Sequence, residues 1–318
     1  MAKPNETFLH ERDDFKALVQ TVAASEKIDN PALVEKDYWI MHVIFGLKRL
    51  GLAFELKGGT SLSKGFGVIH RFSEDIDIRI EPFDGIEVDD KPNHDKPLQI
   101  DTRRKFLEKL REKIKIRGIT GVERDTIFDN KTLTSFGLRL QYQTLFDPIP
   151  ELKEGILLEA GFDQTDPNRA VTITSWINEF EGTKKLEYTD NRAMGVLCYN
   201  PEYTFVEKLQ TVLNKYRQFE NTQTLPVNFL RHYYDIHQLL GLPEVQEFIG
   251  TAKYKEHKQK RFKTLNQNVA ESQAFRLGDK KIKELFESEY KKKAGLYYRK
   301  QIPLDKILAR IQQYLSRF

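Results

Sequence analysis

The chain of 318 residues has a single cysteine, Cys198, which excludes an internal disulfide and a metal site built on cysteines alone. It has no run of about 18 apolar residues, which argues against a membrane span. Its opening, MAKPNETFLHERDDF, lacks the apolar segment of a signal peptide, and a cytoplasmic protein is expected. The seven histidines show neither H-x-x-x-H nor H-E-x-x-H spacing, which argues against a zinc site. No G-x-S-x-G surrounds Ser63, so a hydrolase elbow is not supported. The chain also lacks a Walker A loop, internal repeats and low-complexity tracts.

What is present is a folded composition, with 39% hydrophobic and 31% charged residues, in a chain long enough for two domains. The net charge of +4 hides an asymmetry. From Thr251 to Phe318 there are 18 Lys/Arg against 7 Asp/Glu, a balance of +11, whereas the first 250 residues carry 33 against 40, a balance of −7. A basic C-terminal part points to a polyanionic partner, or to nothing more than solvated helix faces.

The segment NPALVEKDYWIMHVIFGLKRLG predicts a helix, with Asn30 as N-cap, Pro31 at the first turn and Gly51 just past the end. FELKG and DIDIRI then alternate at period two and predict strands, joined by GGTSLSKGFG as a tight turn leading into a short helix. A polar loop around EPFDGIEVDDKPNHDKP precedes a helix expected from Asp101 to about Ile116. Further strands are expected in FGLRLQYQTLF, GILLEAGF, AVTITSWI and MGVLCYN. After Pro201 the pattern is helical to the end, with polar breaks near Asn221 and Lys255. The expected organisation is a mixed α/β domain over residues 1–200 and a helical domain over 201–318.

On an extended DIDIRI strand Asp75, Asp77 and Arg79 share one face, and Ile76, Ile78 and Ile80 the other. Two like charges so close need neutralising. A divalent cation such as Mg²⁺, held by one or two carboxylates with phosphate oxygens and water, would do this. An edge strand with its acids in solvent, partly neutralised by Arg79, would also do it. Upstream, Gly58 and Gly59 permit close approach of backbone N–H groups to an anion. Thr60, Ser61 and Ser63 add hydroxyls, and Lys57 and Lys64 add charge. A phosphate cradle followed by an acid pair suits a nucleoside triphosphate with its metals. Further on, Phe205, Leu209, Val212, Leu213 and Tyr216 form one helical stripe with Lys208 at its edge. Phe229, Tyr233, Ile236 and Leu240 form another, with Asp235 just past its edge. A Lys208–Asp235 salt bridge between two amphipathic helices would satisfy both charges.

The run KGGTSLSKGF…RFSEDIDIRI resembles the first motif of the DNA polymerase β-like nucleotidyltransferases. Its G-G-T-[SA]-L…R-x-S-x-D-I-D form resembles the AbiEii/AbiGii toxins of abortive-infection and type IV toxin–antitoxin systems. VEKDYWI (Val34–Ile40), EKLQTVLNKYRQF (Glu207–Phe219) and RHYYDIHQLL (Arg231–Leu240) resemble that family's entry helix, lysine helix and aspartate helix, in order. The resemblance implies an α+β fold, a polymerase β-like mixed sheet with helices followed by a C-terminal helical domain. It implies a nucleotidyltransferase using Mg²⁺ or Mn²⁺ held by Asp75 and Asp77, with the triphosphate on Lys57, Gly58, Gly59, Thr60, Ser61 and Lys64. Lys208 and Asp235 would face the nucleotide, Asp235 orienting Lys208 or helping to activate the acceptor, with Arg231 and His232 in support or in the core. Many such enzymes use a third carboxylate. Glu159 is the best match, unless it is an exposed strand residue, and Asp163 is the alternative. The implied partners are a nucleoside triphosphate, an RNA acceptor such as a tRNA 3′ end met by the basic C-terminal region, and a cognate antitoxin. Two other outcomes stay open: a nucleotide-binding regulator without turnover, and a protein nucleotidylyltransferase. The segment YKKKAGLYYRKQIP could stack on RNA, or its tyrosines could pack inward.

Overall fold

The computed structural model describes residues 6–91, 93–150, 152–263 and 268–318; residues 1–5 of the opening segment tested for a signal lie outside these. The chain divides into two compact units. The first takes the chain up to Phe66 and Ser73–Tyr199, the second Gly67–Phe72 and Asn200–Phe318. The six residues Gly67–Phe72 fall within the stretch assigned by sequence to the first domain, yet they belong to the second unit.

In the first unit α1 (Phe15–Glu26) and α2 (Pro31–Arg49) lead to β1 (Phe54–Lys57), the short turn α3 (Gly58–Thr60) and β2 (Asp75–Ile80). There follow α4 (Pro97–Lys113), β3 (Ile119–Arg124), β4 (Ser135–Tyr142), β5 (Ile156–Gly161), β6 (Asn168–Ile173), α5 (Trp176–Glu179) and β7 (Ala193–Tyr199). Asn30 caps α2 by accepting from the Ala32 N–H at 3.0 Å, and Gly51 leaves the helix at φ +73°. The seven strands form one mixed sheet in the order β3-β4-β5-β2-β1-β7-β6. β2 lies in its middle, antiparallel to β1 and parallel to β5. That position explains the alternation: Ile76, Ile78 and Ile80 are buried, while Asp77 and Arg79 stay partly open. α2 packs against β7, β2 and β5. The sequence reading lacked β3, whose ITGVER run has no buried residue and pairs only with β4. An edge strand with both faces half wet carries no alternation to detect. The AVTITSWI strand also ends early, because Ser175 caps α5 by accepting from Asn178 N–H.

The polar loop before α4 is tied down by one arginine. The fully buried Arg103 donates to the carbonyls of Asp89, Lys91, His94 and Thr132 at 2.6–2.8 Å, using its guanidinium fork to satisfy an otherwise unpaired backbone.

Beneath α1 and α2 lies a buried polar chain. His10 Nδ1 is 2.9 Å from the Tyr38 hydroxyl, Asn191 donates to that hydroxyl at 3.1 Å, and His42 lies 2.8 Å from Asn191 and 2.9 Å from the Arg117 carbonyl. Burial pushes His10 down to about 3 and His42 down to about 4. Both imidazoles are neutral in the fold, while the unfolded chain takes up protons below its ordinary pKa of 6.5. Their contribution is therefore complete above pH 6.5 and is lost as pH falls toward 4, a cost on the order of 3 kcal/mol for His42. Urea midpoints should drop between pH 7.5 and 4.5. A flat midpoint over that interval would contradict the neutral pair.

The second unit is helical: α6 (Pro201–Thr222), α7 (Arg231–Leu239), α8 (Pro243–Phe248), α9 (Ala252–Arg261), α10 (Gln273–Arg276), α11 (Lys280–Lys291) and α12 (Leu304–Tyr314). Phe205, Leu209 and Val212 of α6 and Tyr233 and Ile236 of α7 are buried with Phe286 and with Ile307 and Ile311 of α12. The break expected near Lys255 is instead the middle of α9. AKYKEHKQKR is nearly all polar, but Tyr254 and Lys258 turn inward and Lys258 lies over the Tyr254 and Phe262 rings. Lys280, Lys281, Lys291, Lys292, Lys293, Arg299 and Lys300 are exposed, while Tyr290 is buried and Tyr297 and Tyr298 are half-buried. Among the described residues no helix is long and apolar enough to cross a membrane.

Candidate functional site

The β1–β2 connection in the first unit is a helical turn, Gly58–Thr60, running into a π-helical turn, Ser61–Gly65. Such wide turns recur at functional sites. Gly58 has φ +68°, and a Cβ there would overlap the Asp77 carboxylate. The position thus requires glycine twice, for its backbone and for its space. The Thr60 hydroxyl donates to the Asp75 carbonyl and lies 3.2 Å from the Ser73 hydroxyl. Turn and acidic strand are therefore one braced piece, with Asp75 and Asp77 on one side of β2.

Across the sheet Lys57, Asp77 and Glu159 lie side by side in register on β1, β2 and β5, with Gly137 of β4 next in the row. Lys57 lies 3.7 Å from Asp163 and is partly exposed. Lys64, expected to face phosphate, is instead 2.6 Å from Asp37 and donates to the Thr174 carbonyl at 2.9 Å. Thr60 and Ser61 are buried, and Ser61 lies 3.5 Å from the Tyr199 carbonyl, so their side chains brace the turn from within. Burial pushes the Cys198 thiol beneath it up to about 12, and the one cysteine is inert as a nucleophile.

Sequence reasoning gave no role to Glu35, Lys36 and Asp37 of α2, all three of which are buried. Glu35 accepts from the Leu145 N–H at 3.0 Å and is pushed up to about 7 by burial. Lys36 lies 3.6 Å from Glu74 and donates to the Lys153 carbonyl; burial lowers its pKa, against the pull of Glu74 and Asp75. Asp37 meets Lys64 and accepts from the Trp176 N–H at 2.9 Å. Three consecutive charges in an apolar helix were the visible signal: VEKDYWI cannot be an ordinary core helix. They lock α2 to the turn, the β2 approach and α5.

Among the described residues no three His, Cys, Asp or Glu side chains gather closely enough to cage a metal, and Glu159 does not complete such a group. Mg²⁺ does not need a cage, since one or two carboxylates with water and phosphate oxygens suffice. Two aspartates on one strand face beside a glycine turn are the hard-oxygen donor set that suits this ion, or Mn²⁺.

In the second unit Asp235 is fully buried and accepts from both Arg71 Nε and Nη2 at 2.7 Å. Lys208 Nζ is 3.2 Å away, and His232 Nδ1 is 3.9 Å away. Burial opposes ionisation of Asp235, but Arg71 and Lys208 outweigh it and hold the carboxyl well below the usual range. Burial lowers the Lys208 pKa, with Asp235 opposing, and it lowers His232 far enough to keep that ring neutral. The anticipated Lys208–Asp235 pair exists, but Arg71 is the principal partner of Asp235. Its place in the R-x-S-x-D-I-D run could have pointed to it, since an arginine in an otherwise turn-like segment needs a partner.

The family described as the nucleotidyl transferase AbiEii toxin of the type IV toxin–antitoxin system matches residues 42–315. The match takes in the glycine turn, the acidic strand and the Lys208 and Asp235 helices, and begins after the Val34–Ile40 run. Among curated proteins no match was found. A fold of mixed sheet and C-terminal helices, matched over most of its length, is sufficient: the chain belongs to the AbiEii family of nucleotidyl transferases, toxins of type IV toxin–antitoxin systems.

Proposed function

We propose that the protein moves a nucleoside monophosphate from a nucleoside triphosphate to an RNA hydroxyl, at a tRNA 3′ end, and that a cognate antitoxin restrains it in the cytoplasm. Asp75 and Asp77 would hold Mg²⁺ or Mn²⁺, with Glu159, in register beside Asp77 on β5, as the candidate base. When bound, the metal supplies charge stabilisation at the transferring phosphate. The Gly58–Ser61 backbone seats phosphate oxygens, Lys57 adds charge at the strand end, and Lys64 holds the turn through Asp37. Lys208 offers its charge to phosphate, and Asp235 fixes its position. The acceptor oxygen forms a bond to the α-phosphorus as the bond to pyrophosphate breaks, and the residues act by positioning and charge. The observation that carries the reading is that the glycine turn is tied to the acidic strand, the Thr60 hydroxyl donating to the Asp75 carbonyl and Gly58 lying so near the Asp77 carboxylate that a Cβ would overlap it. Support for a polyanionic acceptor comes from the exposed lysines of the C-terminal region.

The test is to incubate the protein with each α-³²P nucleotide, Mg²⁺, total RNA and lysate proteins. Label is expected in RNA. Label in protein alone would move the acceptor to a protein hydroxyl, and label in neither would leave a nucleotide-binding regulator.

A further inference from the structure

The row of residues that crosses the sheet of the first unit has two different ends. Lys57 and the Gly58 turn stand at one, Asp77 and Glu159 come next, and Gly137 of β4 follows at the other. Residues paired on neighbouring strands point to one face, and Gly137 is two strands from Asp77, about 10 Å at the usual spacing. A Cβ on Gly137 would meet the Asp125 carbonyl and the Phe128 Cβ, each at 2.8 Å. The turn over residues 125–128 therefore lies on the face that carries the Asp77 and Glu159 side chains.

That turn is pinned. The Asp125 N–H donates to the Gly137 carbonyl at 2.9 Å, and the Asp125 carboxylate accepts from Arg139. Arg139 also donates to the Glu154 carbonyl at 3.1 Å, which fixes the segment leading into β5. In that segment the Lys153 N–H donates to Glu74, the neighbour of Asp75, at 2.9 Å, and the Lys153 carbonyl accepts from Lys36. The Lys153 ammonium reaches over Phe128, 4.0 Å from the ring centre. Ile127, in the middle of the turn, is an apolar side chain left 87% exposed. Asp125 is matched by Arg139 and Asp129 by Arg124, whereas among the described residues no carboxylate lies in ion-pair reach of Lys153.

The chemistry of transfer decides which end serves which substrate. The attacking oxygen and the departing pyrophosphate lie roughly in line through the phosphorus. With the triphosphate tail at the Gly58 end, the acceptor enters from the β4 end. An incoming strand brings a base, which an exposed apolar side chain can cover, and a phosphate, which an ammonium neutralises. We propose that Ile127 and Lys153 form the acceptor platform, Ile127 lying against the terminal base of an RNA strand and Lys153 meeting its phosphate. This occupant rests on the RNA-acceptor reading above.

The test uses the full chain and two readouts. The first is the KM for tRNA and for nucleoside triphosphate in transfer of α-³²P label by Ile127→Asp and Lys153→Glu. Both side chains are exposed, and the backbone hydrogen bonds of residue 153 do not depend on its side chain. The KM for tRNA should rise about tenfold or more in each variant, with the KM for triphosphate within about twofold of the wild type. The second is photo-crosslinking of an RNA hexanucleotide ending in 4-thiouridine, which needs no turnover. Crosslinks are expected within residues 125–131 or at Lys153, and they should weaken in both variants. An unchanged KM for tRNA, an equal rise in both KM values, or crosslinks absent or confined to other residues overturns the platform. Label entering protein alone, without crosslinks here, overturns its RNA occupant. Crosslinking at the turn without transfer sinks the RNA-transfer reading and keeps the platform, whereas transfer with crosslinks elsewhere does the reverse.

Discussion

Asp77→Ala is expected to lower transfer of α-phosphate label by about 10³-fold or more, equal to about 4 kcal/mol of barrier, with the fold intact. The size follows from the role. On the proposed metal role, removing one of two hard-oxygen donors would weaken metal binding and leave the neighbouring aspartate to act alone. Asp75→Ala should cost as much. The fold should survive because Asp77 is only half-buried, while Ile76 and Ile78 on the opposite face carry the packing of β2. A far-ultraviolet spectrum and melt like the wild type, together with lost transfer, is the expected pair of results. Transfer within tenfold of wild type would remove the metal role from β2.

Arg71→Ala should produce the largest loss of stability. It leaves Asp235, fully buried, with only Lys208 and a neutral His232 near its oxygens. Removing one partner of a buried ion pair costs about 3–5 kcal/mol, because the remaining charge keeps its desolvation penalty. For a unit of this size that is a fall in melting temperature on the order of 10–20 °C. Arg71→Lys should recover only part of it, since an ammonium cannot serve both carboxylate oxygens at once. Lys208→Met, which removes a cation whose charged form burial already disfavours, should cost less than Arg71→Ala. Calorimetry of the three variants orders them. Equal melting of Arg71→Ala and wild type would mean that Asp235 is held otherwise.

These two variants separate what was legible in the sequence from what was not. The alternation in DIDIRI, the Asn30 cap and the glycine turn are local patterns, and the chain shows them, although Asp75 is buried along with the isoleucines. Lys208 and Asp235 were placed at the edges of their helical stripes, and both are buried. The main partner of Asp235 was missed because Arg71 is 164 residues away, and no periodicity relates such positions. Lys64 was read toward the nucleotide from its closeness in sequence to the glycines, yet its ammonium goes to Asp37 on α2. The same limitation hid the parallel pairing of β2 with β5, which puts Glu159 beside Asp77. Local spacing reports faces and caps, whereas burial of a charge is decided by elements far along the chain.

The Gly58 turn and the Asp75–Asp77 strand are proposed to form a metal-dependent nucleotidyl transfer site. It is tested most directly by running the reaction with α-³²P and γ-³²P nucleotide in parallel, with tRNA as acceptor, in Mg²⁺ and after chelation with EDTA. Acceptor is expected to be labelled from the α-position only, with labelling lost on chelation and restored by Mg²⁺ or Mn²⁺. Label from the γ-position, or transfer that persists in EDTA, would contradict it.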